Sequence, residues 1–319
     1  MIQLRNKLEE LKRGFNKKSD LAVVSCYFNP CHYKSKFENY KIFRKGIIRT
    51  GVRFLTVELA FGDEDYELSE FPEVIQLRTE KENIMWQKER LLNIGIIKLI
   101  DEGYEKIAWL DADIIFEDDK WVEDLSEELD RYLICQVFSE VFIESLSGGE
   151  NHPGSVKNYY DNGTLIINHT KPGGGWAARA EVLRRVLLFD LAIIAGENDV
   201  LMFFGCFYNN PKLFSNFNKS NTFKVFYPSF LSHYKHWAKI WGSLINCKVG
   251  FIDHKVRVLY HGEKENRKYN LISKLYKKYD FKPSSDLKLS SNLSFEWASN
   301  KPNFHEEVRN YFYLRKEDS

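Results

Sequence analysis

The chain has 319 residues, of which 44% are hydrophobic and 29% charged, an ordinary globular composition with room for a large core. Its 46 basic and 45 acidic side chains leave a formal net charge of +1, so no general field favours nucleic acid and no such partner is expected. No apolar run reaches the roughly 20 residues that span a bilayer, so no transmembrane segment is expected.

Residues 1–20 lack the apolar stretch of a signal peptide. Ile2, Leu4, Leu8, Leu11 and Phe15 follow helical spacing. They read as a short amphipathic helix packed on the protein, with a basic membrane-surface helix as the alternative. The cysteines, Cys26, Cys31, Cys135, Cys206 and Cys247, are odd in number and form no CxxC. That implies reduced thiols, a cytoplasmic location and no zinc site.

Residues 21–28 form a β-rich apolar run that stops at Asn29-Pro30, a turn signal. Residues 37–48 have helical apolar spacing, 52–61 read as a second strand and 74–78 as a third. Residues 84–103 read as a strong helix, with Gly103 placed to end it. A strand then runs into Asp111, and 133–143 is a further strand candidate. Residues 144–172 read as a long loop, 173–190 as a glycine turn entering a helix, and 192–207 as an apolar segment, a turn and a helix. Residues 208–247 are polar and aromatic without clear period, as in an insertion or lid. A strand ends on His261, and the tail finishes in a short helix. Strands alternating with helices predict a single α/β domain with a parallel or mixed sheet.

Asp111-Ala112-Asp113 interrupts a run that otherwise reads as buried strand. Buried charges are costly unless paired or holding a metal. In a continuous strand both carboxylates would face one side, whereas at a strand end the chain can turn and separate them. Hard divalent cations prefer such oxygen ligands and share them with phosphates. In α/β sheets ligands bind beyond the carboxyl ends of strands, at a topological switch point.

Four segments, in order over roughly residues 20–270, resemble the GT-A glycosyltransferases, and within them the β-1,4-galactosyltransferase-like group. They are Glu89-Arg90-Leu91-Leu92-Asn93-Ile94-Gly95, the Asp-x-Asp, Gly173–Gly175 followed by Ala195-Gly196-Glu197-Asn198-Asp199, and His261-Gly262-Glu263-Lys264-Glu265-Asn266-Arg267. Asn29-Pro30-Cys31, Trp86-Gln87-Lys88-Glu89-Arg90 and His261-Gly262 also resemble segments of a set of bacterial and viral glycosyltransferases.

The resemblance implies a GT-A-like (Rossmann-like) mixed sheet flanked by helices. About 20–145 would be the nucleotide-sugar-binding half, and about 146–319 the acceptor-binding half with the C-terminal tail. It implies transfer of a hexose, UDP-galactose or UDP-glucose being the expected donor, to a hydroxyl on a glycan or glycoconjugate, with inversion. Asp113 and His261 would bind Mn²⁺, or Mg²⁺ in its place. Asp111 would contact the donor directly or through the metal shell. Arg90, Asn93, Lys264 and Arg267 would help hold the donor, and Gly174, Gly175 and Trp176 the substrate. A methionine ligand of the group corresponds to Val258, which cannot ligate. The group's base falls where Asn198 stands, and an amide cannot accept the proton, so the role passes to Asp199, with Glu197 as the alternative.

Two other functions stay open in the sequence. A nucleotidyltransferase also uses acidic residues and Mg²⁺, but its glycine-rich basic loop is missing from the glycine-free segment 25–36. A non-catalytic glycan-binding protein on a degenerate GT-A fold would account for Asn198 and Val258. Trp237 and Trp241 read equally as core or as a stacking platform for sugar rings.

Overall fold

The computed structural model describes residues 20–163, 169–194, 198–214, 228–267 and 269–319. The amphipathic segment expected at 2–15 lies outside them.

The larger sheet has seven strands in the order β10-β6-β9-β4-β1-β2-β3. They are β1 (Leu21–Tyr27), β2 (Arg53–Phe61), β3 (Val74–Thr79), β4 (Lys106–Leu110), β6 (Ile134–Gln136), β9 (Gly175–Arg179) and β10 (Val249–Phe251). β1 pairs in parallel with β2 and β4, whereas β9 lies antiparallel between β4 and β6. Residues of β1 are buried on both faces. Ala22 and Val24 join one apolar cluster, Leu21 and Val23 the other. That is why the run is continuously hydrophobic rather than alternating.

The helix α1 (Lys34–Arg49) connects β1 to β2, and α2 (Lys88–Asp101) precedes β4. α2 sits flush on the sheet: a Cβ on Gly95 would collide with Val24 Cγ2. β1 lies between β2 and β4, so successive connections leave it in opposite directions, and the switch point falls beyond the carboxyl ends of β1 and β4.

A second sheet, in the order β5-β11-β7-β8, contains β5 (Ile114–Phe116), β7 (Glu140–Ile143), β8 (Glu150–Pro153) and β11 (Lys255–Val258). The single strand expected at 133–143 is therefore two strands in two sheets. The chain bends between them, where Ser139 N donates to His254 O and Ser139 O accepts from Gly154 N. The loop expected at 144–172 contains β8 and the helix α4 (Ser155–Asn162); α3 (Trp121–Arg131) precedes it.

The helix expected directly after the glycine turn is instead strand β9, followed by the single turn α5 (Ala180–Leu183). Trp176, Ala177 and Ala178 are fully buried between β4 and β6; burial in the sheet overrides the helix preference of alanine. Helix α6 (Asn198–Cys206) matches expectation.

The expected lid at 208–247 contains an 18-residue buried helix, α7 (Pro228–Ile245). Its buried face is Phe230, Tyr234, Trp237, Ala238, Trp241 and Ile245, a helical period. Trp237 and Trp241 stack at 5.1 Å. Their indole N–H groups donate to Leu187 O and Cys206 Sγ. Both are core residues. The chain continues through α8 (Tyr269–Lys278), α9 (Pro283–Asp286), the hairpin β12 (Leu287–Leu289) and β13 (Phe295–Trp297), and α10 (Pro302–Leu314). No described helix is long and apolar enough to cross a membrane.

Candidate active site

β4 stops at Leu110 and β5 starts at Ile114, so Asp111-Ala112-Asp113 is the turn that carries the chain from the first sheet into the second. Three hydrogen bonds pin it. Ser25 Oγ donates to Leu110 O (2.8 Å), Asp111 N to Gly174 O (2.8 Å), and Leu259 N to Asp113 O (2.9 Å). The turn separates two side chains that a continuous strand would have aligned. Asp111 Oδ1 lies 2.5 Å from Lys88 Nζ, while Asp113 Oδ2 lies 3.4 Å from His261 Nδ1.

Lys88 opens α2, and Asn198 and Asp199 open α6. The two helix starts meet over Asp111. Lys88 Nζ also reaches Asp199 Oδ2 at 3.5 Å, so one ammonium bridges two carboxylates from different elements. Burial alone would depress the Lys88 pKa, but Asp111, Asp199 and Glu89 hold it well above the ordinary lysine value. Burial raises the Asp199 carboxyl; Lys88 opposes that, and Asp111 adds to it. Gly173 leaves room for this carboxylate, since a Cβ there would lie 2.6 Å from Asp199 Oδ2.

Behind Asp199, Glu89 is buried and accepts a hydrogen bond from Asn198 Nδ2. Burial pushes Glu89 up to about 8, against the pull of Lys88. A cavity of about 10 Å³ lies among Lys88, Glu89, Trp109, Asn198, Asp199 and Met202.

His261 follows β11 in a loop held by its neighbours. Tyr260 N donates to Glu144 Oε2 (3.0 Å), and Tyr260 O accepts from Asn39 Nδ2 (2.8 Å). Residues 315–319 close over the same loop. Tyr260 OH donates to Ser319 O (2.6 Å), and Asp318 accepts from Lys34 N and Ser35 N (2.9 and 2.8 Å) at the start of α1. Buried Glu317 pairs with Arg315 at 2.5 Å.

The implied divalent cation fits this end of the site. Asp113 Oδ1 is buried with no hydrogen-bond partner, the condition of an oxygen shaped for a ligand. His261 Nδ1 lies 2.8 Å from Leu259 O. A carbonyl there accepts, so this contact favours the tautomer with the proton on Nδ1. Val258 is a buried strand residue of β11. Among the described residues no group of three or more His, Cys, Asp and Glu side chains is gathered around a metal position.

Arg90 Nη1 lies 3.0 Å from Asp190 Oδ2. Asn93 Nδ2 donates to Asp190 Oδ2 and Leu188 O, both at 3.0 Å, and its Oδ1 accepts from Leu188 N. Both residues therefore brace segment 188–190, which borders the cavity. Gly174 and Gly175 carry the turn beneath Asp111; their carbonyls accept from Asp111 N and Val137 N. Trp176 is fully buried, its indole N–H donating to Pro172 O. Lys264–Arg267 form one 3-10 turn after Gly262. Glu197 lies outside the described residues.

The bridging role of Lys88 is not legible in the motifs. A signal for its neighbours existed: Glu89 and Asn93, four apart, share the buried face of α2 with Leu92 and Ile96. Polar groups on an apolar stripe need partners.

The mixed, helix-flanked sheet with an acidic turn at the end of β4 is the mixed α/β arrangement expected from the sequence. No family model and no curated protein matches the chain. Among solved structures it is similar to the catalytic domain of Drosophila β1,4-galactosyltransferase 7, with 15% identity and a TM-score of 0.31, covering 58% of this chain and 59% of that one. The chain thus spans about 59% of the length of that galactosyltransferase domain. It is also similar to a glycosyltransferase involved in glycosylation of the major capsid of PBCV-1 (10% identity, TM-score 0.26, 92% of this chain and 98% of that one). A third is a Thermus thermophilus protein named mannose-1-phosphate geranyltransferase (12% identity, TM-score 0.34, 74% and 75% covered).

Proposed function

We propose that the protein is a glycosyltransferase that moves a hexose from a nucleotide sugar, UDP-galactose or UDP-glucose first among them, to a hydroxyl of a glycan or glycoconjugate, with inversion. The observation that carries this reading is one compact group at the switch point: Asp113 and His261 on one side of a turn, Asp111, Lys88 and Asp199 on the other.

Asp113 and His261 would hold Mn²⁺, or Mg²⁺ in its place. When bound, such a cation supplies positive charge against the diphosphate leaving group. Asp111, tied to Lys88, keeps its carboxylate in a fixed direction beneath the donor. Lys88 adds a second fixed positive charge. Arg90 and Asn93 act through Asp190 to hold the wall at 188–190. Asp199 accepts the proton of the acceptor hydroxyl. Burial alone would make it a protonated, useless base, whereas the ammonium at 3.5 Å favours the ionised form.

The test is a panel of nucleotide sugars, incubated with glycan acceptors and Mn²⁺, with and without EDTA. The expected result is a glycosylated acceptor of inverted anomeric configuration, lost with EDTA and restored by Mn²⁺. Nucleotidyl transfer to a sugar phosphate, without glycosyl transfer, would replace this reading with a nucleotidyltransferase. Full transfer by a metal-stripped sample would remove the metal from it.

A further inference from the structure

We propose that Glu89 is the proton-holding partner of Asp199, joined to it by one water in the cavity between the starts of α2 and α6. The inference rests on the transferase reading above, with Asp199 as the base.

Glu89 is not an idle helix residue. It is 7% exposed and accepts from Asn198 Nδ2, which fixes the direction of its carboxylate. Asn198 is 6% exposed, and its Oδ1 is buried without a hydrogen-bond partner. Both side chains line the cavity with Asp199 and Lys88, and its roughly 10 Å³ is the space one water requires. A water there can donate to Asn198 Oδ1 and the Glu89 carboxylate, and accept from the Lys88 ammonium and from Asp199 once that carboxyl is protonated. Two to four such partners are what a buried water needs.

The charge balance points the same way. Three carboxyls, Glu89, Asp111 and Asp199, share the ammonium of Lys88, with Lys171 acting on Asp199 as a second positive charge, so the group still carries more carboxyls than cations and favours holding a proton. From β1 the group facing Glu89 is Cys26, whose thiol burial pushes up to about 12, leaving it neutral. Burial puts Glu89 at about 8, where it both takes up and releases a proton near working pH.

In the reaction the acceptor oxygen bonds to the anomeric carbon as the carbon–oxygen bond to the diphosphate breaks, its electron pair leaving with the diphosphate. The acceptor O–H proton passes to the Asp199 carboxylate. It then crosses the water to the Glu89 carboxylate, which restores Asp199, and leaves to solvent before the next turnover. Glu89 must be ionised to accept, so turnover rises with pH through its ionisation.

Glu89→Gln tests this, because the amide oxygen still accepts from Asn198 but cannot take a proton. Wild type and E89Q are compared for kcat, KM and melting temperature, with UDP-sugar and Mn²⁺, from pH 6 to 10. The wild-type kcat is expected to rise through an ionisation near 8. E89Q is expected to lose this ionisation and roughly tenfold in kcat, less than the 10²–10⁴-fold of a base itself, with KM and melting temperature unchanged. An E89Q enzyme with wild-type kcat and pH profile overturns the inference. So does one that is slower yet keeps the ionisation, since that is a structural role.

Infrared titration of the wild type reads the same proton without a variant. A buried carboxyl band that disappears as pH rises through about 8 is expected, and its absence overturns the inference. A wild type with no transfer activity overturns the transferase reading and this inference together, whereas an active wild type with an unchanged E89Q overturns this inference alone.

Discussion

Replacing Lys88 by methionine removes the charge at the centre of the site while keeping most of the unbranched chain. Lys88 Nζ stands 2.5 Å from Asp111 Oδ1 and 3.5 Å from Asp199 Oδ2. At an effective dielectric of about 20, the longer pair alone has a gross attraction of ~5 kcal/mol. Desolvation offsets part of that. What remains after Lys88→Met is two carboxylates facing each other without a cation, and breaking a buried pair from one side costs roughly 3–5 kcal/mol. The variant can escape by protonating Asp199, whose carboxyl burial and Asp111 already push upward. A carboxyl whose folded pKa is raised above its unfolded value destabilises the fold while ionised, and the penalty fades as pH falls through the folded value. Urea unfolding of wild type and K88M at pH 7.5 and 5.5 is the assay. K88M is expected to be less stable by roughly 3–5 kcal/mol at the higher pH, with a smaller gap at the lower. A gap within about 0.5 kcal/mol at both pH values, as for an ordinary surface change, would refute the bridging role.

Three further perturbations read other parts of the site. Asp318→Ala removes the acceptor for Lys34 N and Ser35 N at the start of α1; calorimetry should show a loss of about 1 kcal/mol, the usual worth of a helix cap. Burial would raise Glu317, but Lys36, Arg315 and His261 hold it down at about 2, against 4.5 when unperturbed. That gap is worth about 3 kcal/mol, fully present above pH 4.5 and lost as pH falls toward 2, so acid titration of Glu317→Gln against wild type should show the two stabilities converging in that window. Gly173→Ala sets a methyl 2.6 Å from Asp199 Oδ2 and should lower kcat by roughly tenfold or more, up to the 10²–10⁴-fold that loss of a base costs, with donor Kd little changed; an unaltered kcat would show that the carboxylate is not seated against this turn.

Much of the sheet was legible because its signals are local. The apolar runs of β1 and β2, the period of α2 and Gly103 after it, and the interruption at Asp111 each follow from a few adjacent residues. What stayed hidden depends on partners distant in sequence. β6 and β7 read as one strand because nothing local marks the bend that His254 and Gly154 impose. β9 is short and alanine-rich, so only its place between β4 and β6 identifies it. In α7, histidines and lysines between the aromatic residues obscure the period of the buried face.

The candidate site divides in the same way. The motifs supplied Asp113 and His261 as a pair, and Asp111 and Asp199 as residues of the same site, but not Lys88, which joins the last two. The turn between the sheets sends Asp111 to Lys88 and Asp113 to His261. Arg90 and Asn93 read as ligand-facing residues of a helix, and their partner Asp190 is nearly 100 positions on, beyond any local pattern.

On the proposed mechanism one side of the turn holds the cation and donor while the other moves the proton. The most direct measurement is UDP-sugar binding by calorimetry in Mn²⁺, paired with single-turnover transfer rates, for Asp113→Ala and Asp199→Asn. Asp113→Ala is expected to lose both donor binding and transfer. Asp199→Asn is expected to bind donor with wild-type Kd and lose about 10²–10⁴-fold in rate. Wild-type donor affinity in Asp113→Ala, or a wild-type rate in Asp199→Asn, would contradict that division of labour.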